Sequence, residues 1–304
     1  VSRHHWNWRG RRSNRTSRAL VADSVIDCSP MSEVSTASTT AHTEENHVDE
    51  SPRGIAVMVV VGVLVGLLSG LFGIGGGTII VPALVWLGLT QRHAAATSML
   101  AIVPTSVSGV LAYAVEGNVD WIAALLMFLG MFIGGQIGSL LLSRLPEVVL
   151  RWAFVVFMAF IIASQLIFIP SRDSSIEFNL VTVLLMIVFG VLAGILAGLL
   201  GVGGGAICVP ALSILFGASD LIARGTSLLS MFPNAMTTTV ANVRRKMVHA
   251  KAGLIIGIVA ALTAPLGTWI AGAMSPRAGG ILFATYLTVL LIRSIWVALK
   301  VTRE

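Results

Sequence analysis

The sequence predicts an all-α integral membrane protein made of two homologous halves. Of its 304 residues, 56% are hydrophobic and 11% are charged, and the mean hydropathy is +0.90. A soluble domain of this length cannot bury so much apolar surface, so lipid must be the solvent for most of the chain. In addition, the stretch GLLSGLFGIGGGTIIVPAL at 66–84 returns as GILAGLLGVGGGAICVPAL at 194–212, which indicates an internal duplication.

The first 53 residues are predicted to form a disordered N-terminal tail. They lack an apolar period and carry equal numbers of arginines and acidic residues, a composition that cannot bury a core. The basic stretch before Met31 has two open interpretations. It is either an extension upstream of the functional protein or a weak surface anchor for anionic lipid.

Because the charges of the first 53 residues cancel, the net charge of +6 belongs to the membrane part, where the cations lie between apolar segments. This distribution is typical of membrane-protein loops and not of a nucleic-acid groove.

The rest of the chain consists of apolar blocks separated by short polar segments. A helix needs about 20 residues to cross a bilayer, and the two blocks that follow the GGG motifs are too short for that. Cys28 and Cys208 are isolated from each other, so no metal or cofactor site is expected. The blocks are 55–72, 78–89, 94–115, 119–145, 148–169, 178–200, 206–216, 221–243, 253–274 and 279–299.

The duplication extends well beyond the glycine motifs. Thr97-Ser98 corresponds to Thr226-Ser227, and Pro104 corresponds to Pro233, at a nearly constant offset. We therefore divide the membrane part into repeat 1 (54–170), a linker (171–177) and repeat 2 (178–300), followed by a short end (301–304). Each repeat is predicted to contain one glycine-broken helix, re-entrant or discontinuous, and three transmembrane helices.

The charges of the loops favour inverted repeats over parallel repeats. If the chain turns back at the glycines, each half crosses three times and the halves are inverted. Lys and Arg favour the cytoplasmic side of the inner membrane. With both termini cytoplasmic, the inside loops then carry Arg92, Arg144, Arg151, Arg244, Arg245, Lys246 and Lys251. The outside loops carry Glu116, Asp120, Arg172, Asp173, Glu177, Asp220, Arg224 and Arg277.

The GGG motifs are predicted to form the substrate site. A short helix that begins inside the membrane has free N–H groups and the positive end of its dipole at its start. Consecutive glycines let such groups converge on an anion, and two inverted copies would face each other. The candidate residues are Gly75, Gly76, Gly77, Thr78, Gly203, Gly204 and Gly205. The G-x-x-x-G series Gly62-Gly66-Gly70 and Gly190-Gly194-Gly198 instead favour helix packing.

Polar side chains near the motifs have two possible roles. The hydroxyls of Thr97, Ser98, Thr226 and Ser227 either bind the anion or bond their own helix carbonyls. Asn234 is expected to face the interior and to contact substrate. Arg293 either neutralises the anion or extends to the cytoplasmic interface.

The motif GLFGIGGGTIIVPAL with its second copy, followed by ATSML and GTSLL, resembles the TauE/SafE family of sulfite exporters and toxic-anion permeases. The resemblance covers residues 54–300. It implies transport of a small sulfur-containing or carboxylate anion, such as sulfite or a sulfonate, across the inner membrane. The alternatives are an intramembrane serine-protease-like enzyme, from the GASD stretch at 217–220, and a membrane partner subunit without transport activity. The enzyme alternative lacks a histidine at membrane depth.

Overall fold

The computed structural model describes residues 51–167 and 176–303, and the chain is helical and free of β-strands within these ranges. This confirms the all-α prediction. Most of the predicted tail, residues 171–175 of the predicted linker and Glu304 lie outside the described residues. The helices are α1 (Pro52–Phe72), α2 (Gly77–Trp86), α3 (Gln91–Val115), α4 (Trp121–Arg144), α5 (Glu147–Ile167), α6 (Leu180–Leu200), α7 (Gly205–Ile214), α8 (Asp220–Arg244), α9 (Ala250–Ala273) and α10 (Pro276–Arg303).

The second five helices repeat the first five in order, and the first four pairs match in length. Helices α1 and α6 have 21 residues each, α2 and α7 have 10, α3 and α8 have 25, and α4 and α9 have 24. The caps repeat as well. The hydroxyls of Thr90 and Ser219 accept backbone N–H groups at the starts of α3 and α8. The duplicated sequence therefore forms the same local structures in the same order.

Six helices of the described part are long and apolar enough to cross a membrane, namely α1, α3, α4, α6, α9 and α10. Their outward faces expose large apolar side chains such as Leu125, Leu262 and Trp269. Lipid can accommodate such a surface, whereas water would not. The chain is therefore a multi-pass membrane protein.

Small residues bring helices of the two halves into close contact. Helix α4 packs on α6, and α1 packs on α9. A methyl group on Gly134 would lie 2.1 Å from the carbonyl oxygen of Val191, and one on Gly66 would lie 2.2 Å from that of Ala260. A methyl group on Gly194 would lie 2.6 Å from the carbonyl oxygen of Met131. These contacts support the packing role predicted for the G-x-x-x-G series.

Helices α3 and α8 contact each other and hold most of the buried polar side chains. Helix α3 also packs on α9, and α8 packs on α4 and α7. Polar groups are costly in lipid, so their concentration here makes the middle of the bundle its most polar part. The fully buried ones are Thr97, Ser98, Thr105, Ser106, Thr226, Ser227, Ser230, Asn234, Thr238 and Asn242.

Hydrogen bonds gather three inter-helix loops at one end of the bundle. The guanidinium of Arg92 donates to the carbonyl oxygen of Leu145 (2.7 Å), and that of Arg245 donates to the hydroxyl of Ser139 (2.5 Å). The N–H of His249 donates to the hydroxyl of Thr97 (2.9 Å). We call this the basic end because its loops and helix termini include Arg92, Arg144, Arg151, Arg244, Arg245, Lys246 and Lys251.

We expect Gly194→Val to lower the amount of folded protein. The new Cβ would lie 2.6 Å from the carbonyl oxygen of Met131 and 2.7 Å from its Cα, so two helix backbones would have to separate. Overpacking of this kind costs about 1–3 kcal/mol or more. Membrane abundance and the midpoint of thermal unfolding in detergent measure the effect.

Gly272→Val is the matched control. It places the same side chain on a helical glycine that has open space around its Cβ. It should match the wild type in both measurements. Normal abundance and thermal stability of the Gly194 variant would show that this contact does not hold the halves together.

Candidate functional site

Two glycine-rich breaks interrupt the bundle at equivalent positions. After α1, Gly73, Gly75 and Gly76 have φ values of 71°, 71° and 79°. After α6, the corresponding glycines at 201, 203 and 204 have φ values of 70°, 79° and 91°. Residues with a side chain rarely adopt this left-handed conformation, which explains why glycine occupies these positions.

Each break folds back against the helix that precedes it. A methyl group on Gly76 would lie 2.4 Å from Cγ1 of Val65, in the second half of α1. A straight continuation of α1 would separate these residues by about 16 Å. In the second break, a methyl group on Gly204 would lie 3.3 Å from Cβ of Ala197.

The two breaks also contact each other. A methyl group on Gly77, the first residue of α2, would lie 2.5 Å from the carbonyl oxygen of Gly201. A methyl group on Gly205, the first residue of α7, would lie 2.8 Å from the carbonyl oxygen of Gly73. The N-termini of the two short helices are therefore neighbours, and each packs on the break of the other half.

Two apolar side chains lie against both breaks. The Cε atom of Met231 lies 2.3 Å from the Cβ position of Gly75 and 2.5 Å from that of Gly203. Ile102 lies at the equivalent place on α3, and its side chain is 3.2 Å and 3.0 Å from the same two positions. Both residues are near the middle of 25-residue helices. Thus Gly75 and Gly203 meet near the centre of the bundle.

Serine hydroxyls from the central helices bond to the breaks. The hydroxyl of Ser98 has two acceptors within reach, the carbonyl oxygen of Gly201 in the opposite break (2.5 Å) and that of Ala95 in its own helix (2.8 Å). Ser227 donates to the carbonyl oxygen of Gly73 (3.2 Å). Each hydroxyl therefore satisfies a carbonyl group in the break of the opposite half. Buried carbonyl groups need such partners wherever a helix ends inside the protein.

The neighbouring threonines bond to loops. The hydroxyl of Thr97 accepts the N–H of His249, and that of Thr226 accepts the N–H of Asp120, both at 2.9 Å. These bonds link α3 and α8 to the starts of α9 and α4. The hydroxyl groups of all four predicted Ser and Thr residues thus bond to backbone groups in this structure.

Thr78 and Asn234 are the remaining side chains of the predicted site. Thr78 lies in the first turn of α2 and is 2% exposed. Asn234 lies one turn beyond Met231 on α8 and is fully buried, and neither its amide nitrogen nor its amide oxygen has a hydrogen-bond partner. A buried amide without a partner is unusual in a folded protein, and it indicates that Asn234 bonds to water or to a polar ligand.

Comparison with known proteins identifies the family. The family model described as "Sulfite exporter TauE/SafE" matches residues 58–294. The chain belongs to the TauE/SafE family. The match includes both breaks and the two central helices.

Relatives of this TauE/SafE protein are named as membrane transporters. The chain is 29% identical to probable membrane transporter protein YunE of Bacillus subtilis (strain 168), over 71% of this chain and 85% of YunE. It is 32% identical to a probable membrane transporter protein of Haemophilus influenzae, over 52% of this chain and 62% of that protein. It is 25% identical to probable membrane transporter protein MJ0441 of Methanocaldococcus jannaschii, over 53% and 62%. The chain is accordingly a membrane transporter.

The loop position predicted for Asp220 and Arg224 is wrong. Both lie in the first turns of α8 with exposures of 1% and 6%, and their charged groups are 3.3 Å apart. Arg224 also donates to the carbonyl oxygen of Leu71 (2.6 Å), one of the last carbonyl groups of α1. These carbonyls have no partner within the helix, which explains why the arginine is buried. The four-residue spacing of Asp220 and Arg224 is the sequence signal that could have placed them on one helix face.

Tyr113 adds a third side chain at the end of α1. Its hydroxyl donates to the carbonyl oxygen of Gly70 (2.7 Å), and the residue is fully buried. Together with Arg224 and Ser227, it satisfies the carbonyl groups of α1 and its break. This contact could not be predicted from the sequence, because a single tyrosine near a helix end does not indicate which carbonyl group it bonds to.

Arg293 lies away from the breaks, near the basic end. Its guanidinium carbon is 5.6 Å from the centroid of the Trp86 ring, a distance typical of a cation–π contact. Arg293 and Arg151 line a cavity of about 340 Å³ together with Gln91 and Ser294. This position is compatible with both roles predicted from the sequence, which are neutralisation of the anion and extension to the cytoplasmic interface.

We expect Ser98→Ala to destabilise the protein more than Ser106→Ala does. Both serines are fully buried on α3. Only the hydroxyl of Ser98 reaches the opposite break; that of Ser106 bonds to Val103 in its own helix. Leaving the carbonyl oxygen of Gly201 without this partner should cost about 1–3 kcal/mol. The midpoint of thermal unfolding in detergent should therefore fall for Ser98→Ala and change little for Ser106→Ala. Equal midpoints for the two variants would contradict this role of Ser98.

Proposed function

We propose that this TauE/SafE transporter carries a small sulfur-containing or organic anion, such as sulfite or a sulfonate. The anion binds between the N-termini of α2 and α7, at 75–78 and 203–205. The observation that carries this proposal is the contact between the two breaks, in which Gly77 packs on Gly201 and Gly205 packs on Gly73.

The backbone at these helix starts suits an anion. Gly76 and Gly204 cap α2 and α7 without any side-chain hydrogen bond. The N–H groups of Ile79 and Ile80 bond to Gly76, and those of Ile207 and Cys208 bond to Gly204. The N–H groups before them have no partner within the helix, and they lie at the positive ends of two helix dipoles. Free N–H groups and positive dipole ends bind oxyanions in many proteins.

The backbone path at the breaks supports an inverted arrangement of the halves in this proposal. The contact between Gly76 and Val65 supports a re-entrant path, in which α2 goes back towards the end where α1 begins. In this proposal α3, α4 and α5 then cross, although α5 is not among the six helices named above, and the second half starts from the opposite side and runs in reverse. Transporters with inverted repeats commonly bind substrate where the broken helices of the two repeats meet.

The side chains around the breaks have complementary roles in this proposal. Thr78 and Asn234 are the candidates for direct contact with the anion. Ser98 and Ser227 hold the carbonyl groups of the breaks away from it through the bonds described above, and Thr97 and Thr226 hold the central helices against the loops. In this proposal, the serines occupy these two carbonyl groups, and the N–H groups of the helix starts remain available for a negative charge.

The same proposal places the basic end in the cytoplasm and the protein in the inner membrane. The end of α1 contacts Arg224 and Tyr113 at the opposite end of the bundle, so Pro52 lies at the basic end. The contact of Arg293 with Trp86 places the last turns of α10 there too. Positive loops favour the cytoplasmic side, so both termini of the described part would be cytoplasmic.

The position of Ser219 does not support the alternative of a serine-protease-like enzyme. This serine precedes α8, where its hydroxyl oxygen accepts the N–H of Ile222 and thereby caps the helix. A nucleophilic serine would need a neighbouring base. Anion transport is therefore the one function that we propose.

Purified protein in liposomes should transport at least one anion from a panel of sulfite, sulfate, sulfoacetate and lactate, and should not transport the zwitterion taurine. Gly75→Ala and Gly203→Ala should reduce this flux at least tenfold. Each adds a methyl group at the meeting point of the breaks, against Met231 and Ile102.

Gly117→Ala is the matched control, because Gly117 has a similar φ of 73° and open space around its Cβ. All three variants pay a similar cost for a side chain in the left-handed conformation, about 1–2 kcal/mol. Only the first two change the proposed site. Normal flux in Gly75→Ala and Gly203→Ala, or an equal loss in Gly117→Ala, would count against the site.

A further inference from the structure

A line of buried polar side chains runs along α8 from the breaks towards the basic end. Asn234, Thr238 and Asn242 follow one another at four-residue intervals, so they share one face of the helix. All three are fully buried. We call these three residues the polar line.

The protein itself does not satisfy the polar line. Both amide atoms of Asn234, the hydroxyl of Thr238 and the amide nitrogen of Asn242 have no hydrogen-bond partner. Folded proteins pair nearly all buried polar groups with protein or with water. A face with this many unpaired groups is therefore built for water or for a polar solute.

The helix that faces the polar line leaves room for it. Opposite Asn234 and Thr238, α4 has a glycine, Gly135. A methyl group there would lie 2.2 Å from Oδ1 of Asn234 and 3.0 Å from the hydroxyl oxygen of Thr238. Any side chain at 135 would thus intrude on the polar line.

The two ends of the polar line lie at the breaks and at the basic end. Met231, one turn before Asn234, lies against Gly75 and Gly203. At the other end, Oδ1 of Asn242 accepts the hydroxyl of Ser139 (2.7 Å), and Ser139 accepts a hydrogen bond from Arg245 (2.5 Å). Arg245 is half-buried and is the first charged side chain reached from the breaks along this face.

The equivalent face of α3 has no such line. Thr105, which corresponds to Asn234, donates to the carbonyl oxygen of Ala101 in its own helix. Gly109 corresponds to Thr238, and the side chain of Leu228 lies 2.8 Å from its Cβ position. Tyr113 corresponds to Asn242, and its hydroxyl bonds to Gly70. The two halves have therefore diverged here, and only the face that leads to the basic end is polar and unpaired.

We propose that the polar line is the route by which the anion passes between the breaks and the basic end, and that Arg245 is its mouth. The hydrogen bonds from Arg245 through Ser139 to Asn242 close this route in the present structure. This inference rests on the proposed function, because it assigns a path to the same substrate. A guanidinium at the mouth of a narrow polar path attracts anions and repels cations.

Cysteine accessibility tests the route without requiring transport. In a Cys28→Ser/Cys208→Ser background, Thr238→Cys should react with a sulfonate-bearing methanethiosulfonate added from the basic end. Thr105→Cys, the same substitution at a fully buried threonine of α3, should remain unreactive. Ser139→Cys is a second probe on α4, so the test survives if one variant fails to fold.

Arg245 is tested by the charge preference of this reaction. At Thr238→Cys, the anionic reagent should react at least tenfold faster than its trimethylammonium counterpart. Arg245→Gln should remove most of this preference. Arg244→Gln makes the same change of charge at the adjacent exposed arginine and should leave the preference unchanged.

The outcomes separate this inference from the proposed function. If the liposomes transport an anion while Thr238→Cys and Ser139→Cys are both unreactive, the route is overturned and the proposed function stands. If Arg245→Gln keeps the wild-type preference, Arg245 is not the mouth. If both cysteines react but no anion of the panel is transported, the proposed substrate class is wrong, and the assignment of the route to an anion fails with it.

Discussion

The structure depends on one constraint, which is that backbone groups exposed by a helix break inside a membrane must be paired within the protein. Each unpaired group in hydrocarbon costs several kcal/mol. Here one carbonyl group of each break is satisfied by the other half, through Ser227 on Gly73 and Ser98 on Gly201. Arg224 does the same for Leu71 at the end of α1. Each half thus supplies a hydrogen bond that the break of the other half needs, so the halves depend on each other.

This dependence explains the close packing around the breaks. Side chains on α3 and α8 can reach the opposite break only if the two halves interlock, and the glycines of α1, α4 and α6 permit that approach. Pairing of the carbonyls has a further consequence. The remaining polar groups of each break include the N–H groups at the helix starts, which bear partial positive charge. These positively polarised groups at the centre of the bundle are the basis of the anion site proposed above.

Much of the architecture could be predicted from the sequence because its signals are local. Apolar blocks and the repeated glycine motif indicated an all-α membrane protein in two halves, and the four-residue glycine spacing indicated close packing. The partners of Ser98 and Ser227 could not be predicted, since each bonds to a residue more than a hundred positions away. Arg224 was misplaced for the same reason, because the carbonyl group that it satisfies belongs to the other half. The four-residue spacing of Asn234, Thr238 and Asn242 is visible in the sequence. The sequence does not show, however, that Gly135 lies opposite them.

The central claim is that an anion binds where the two breaks meet. Selenite has the charge and shape of sulfite, and selenium gives an anomalous X-ray signal. Crystals of the protein grown with selenite should therefore show an anomalous selenium peak beside Gly77 and Gly205, with selenite oxygens within hydrogen-bond distance of their backbone N–H groups. A peak confined to surface arginines, with none at the breaks under saturating selenite, would contradict the account.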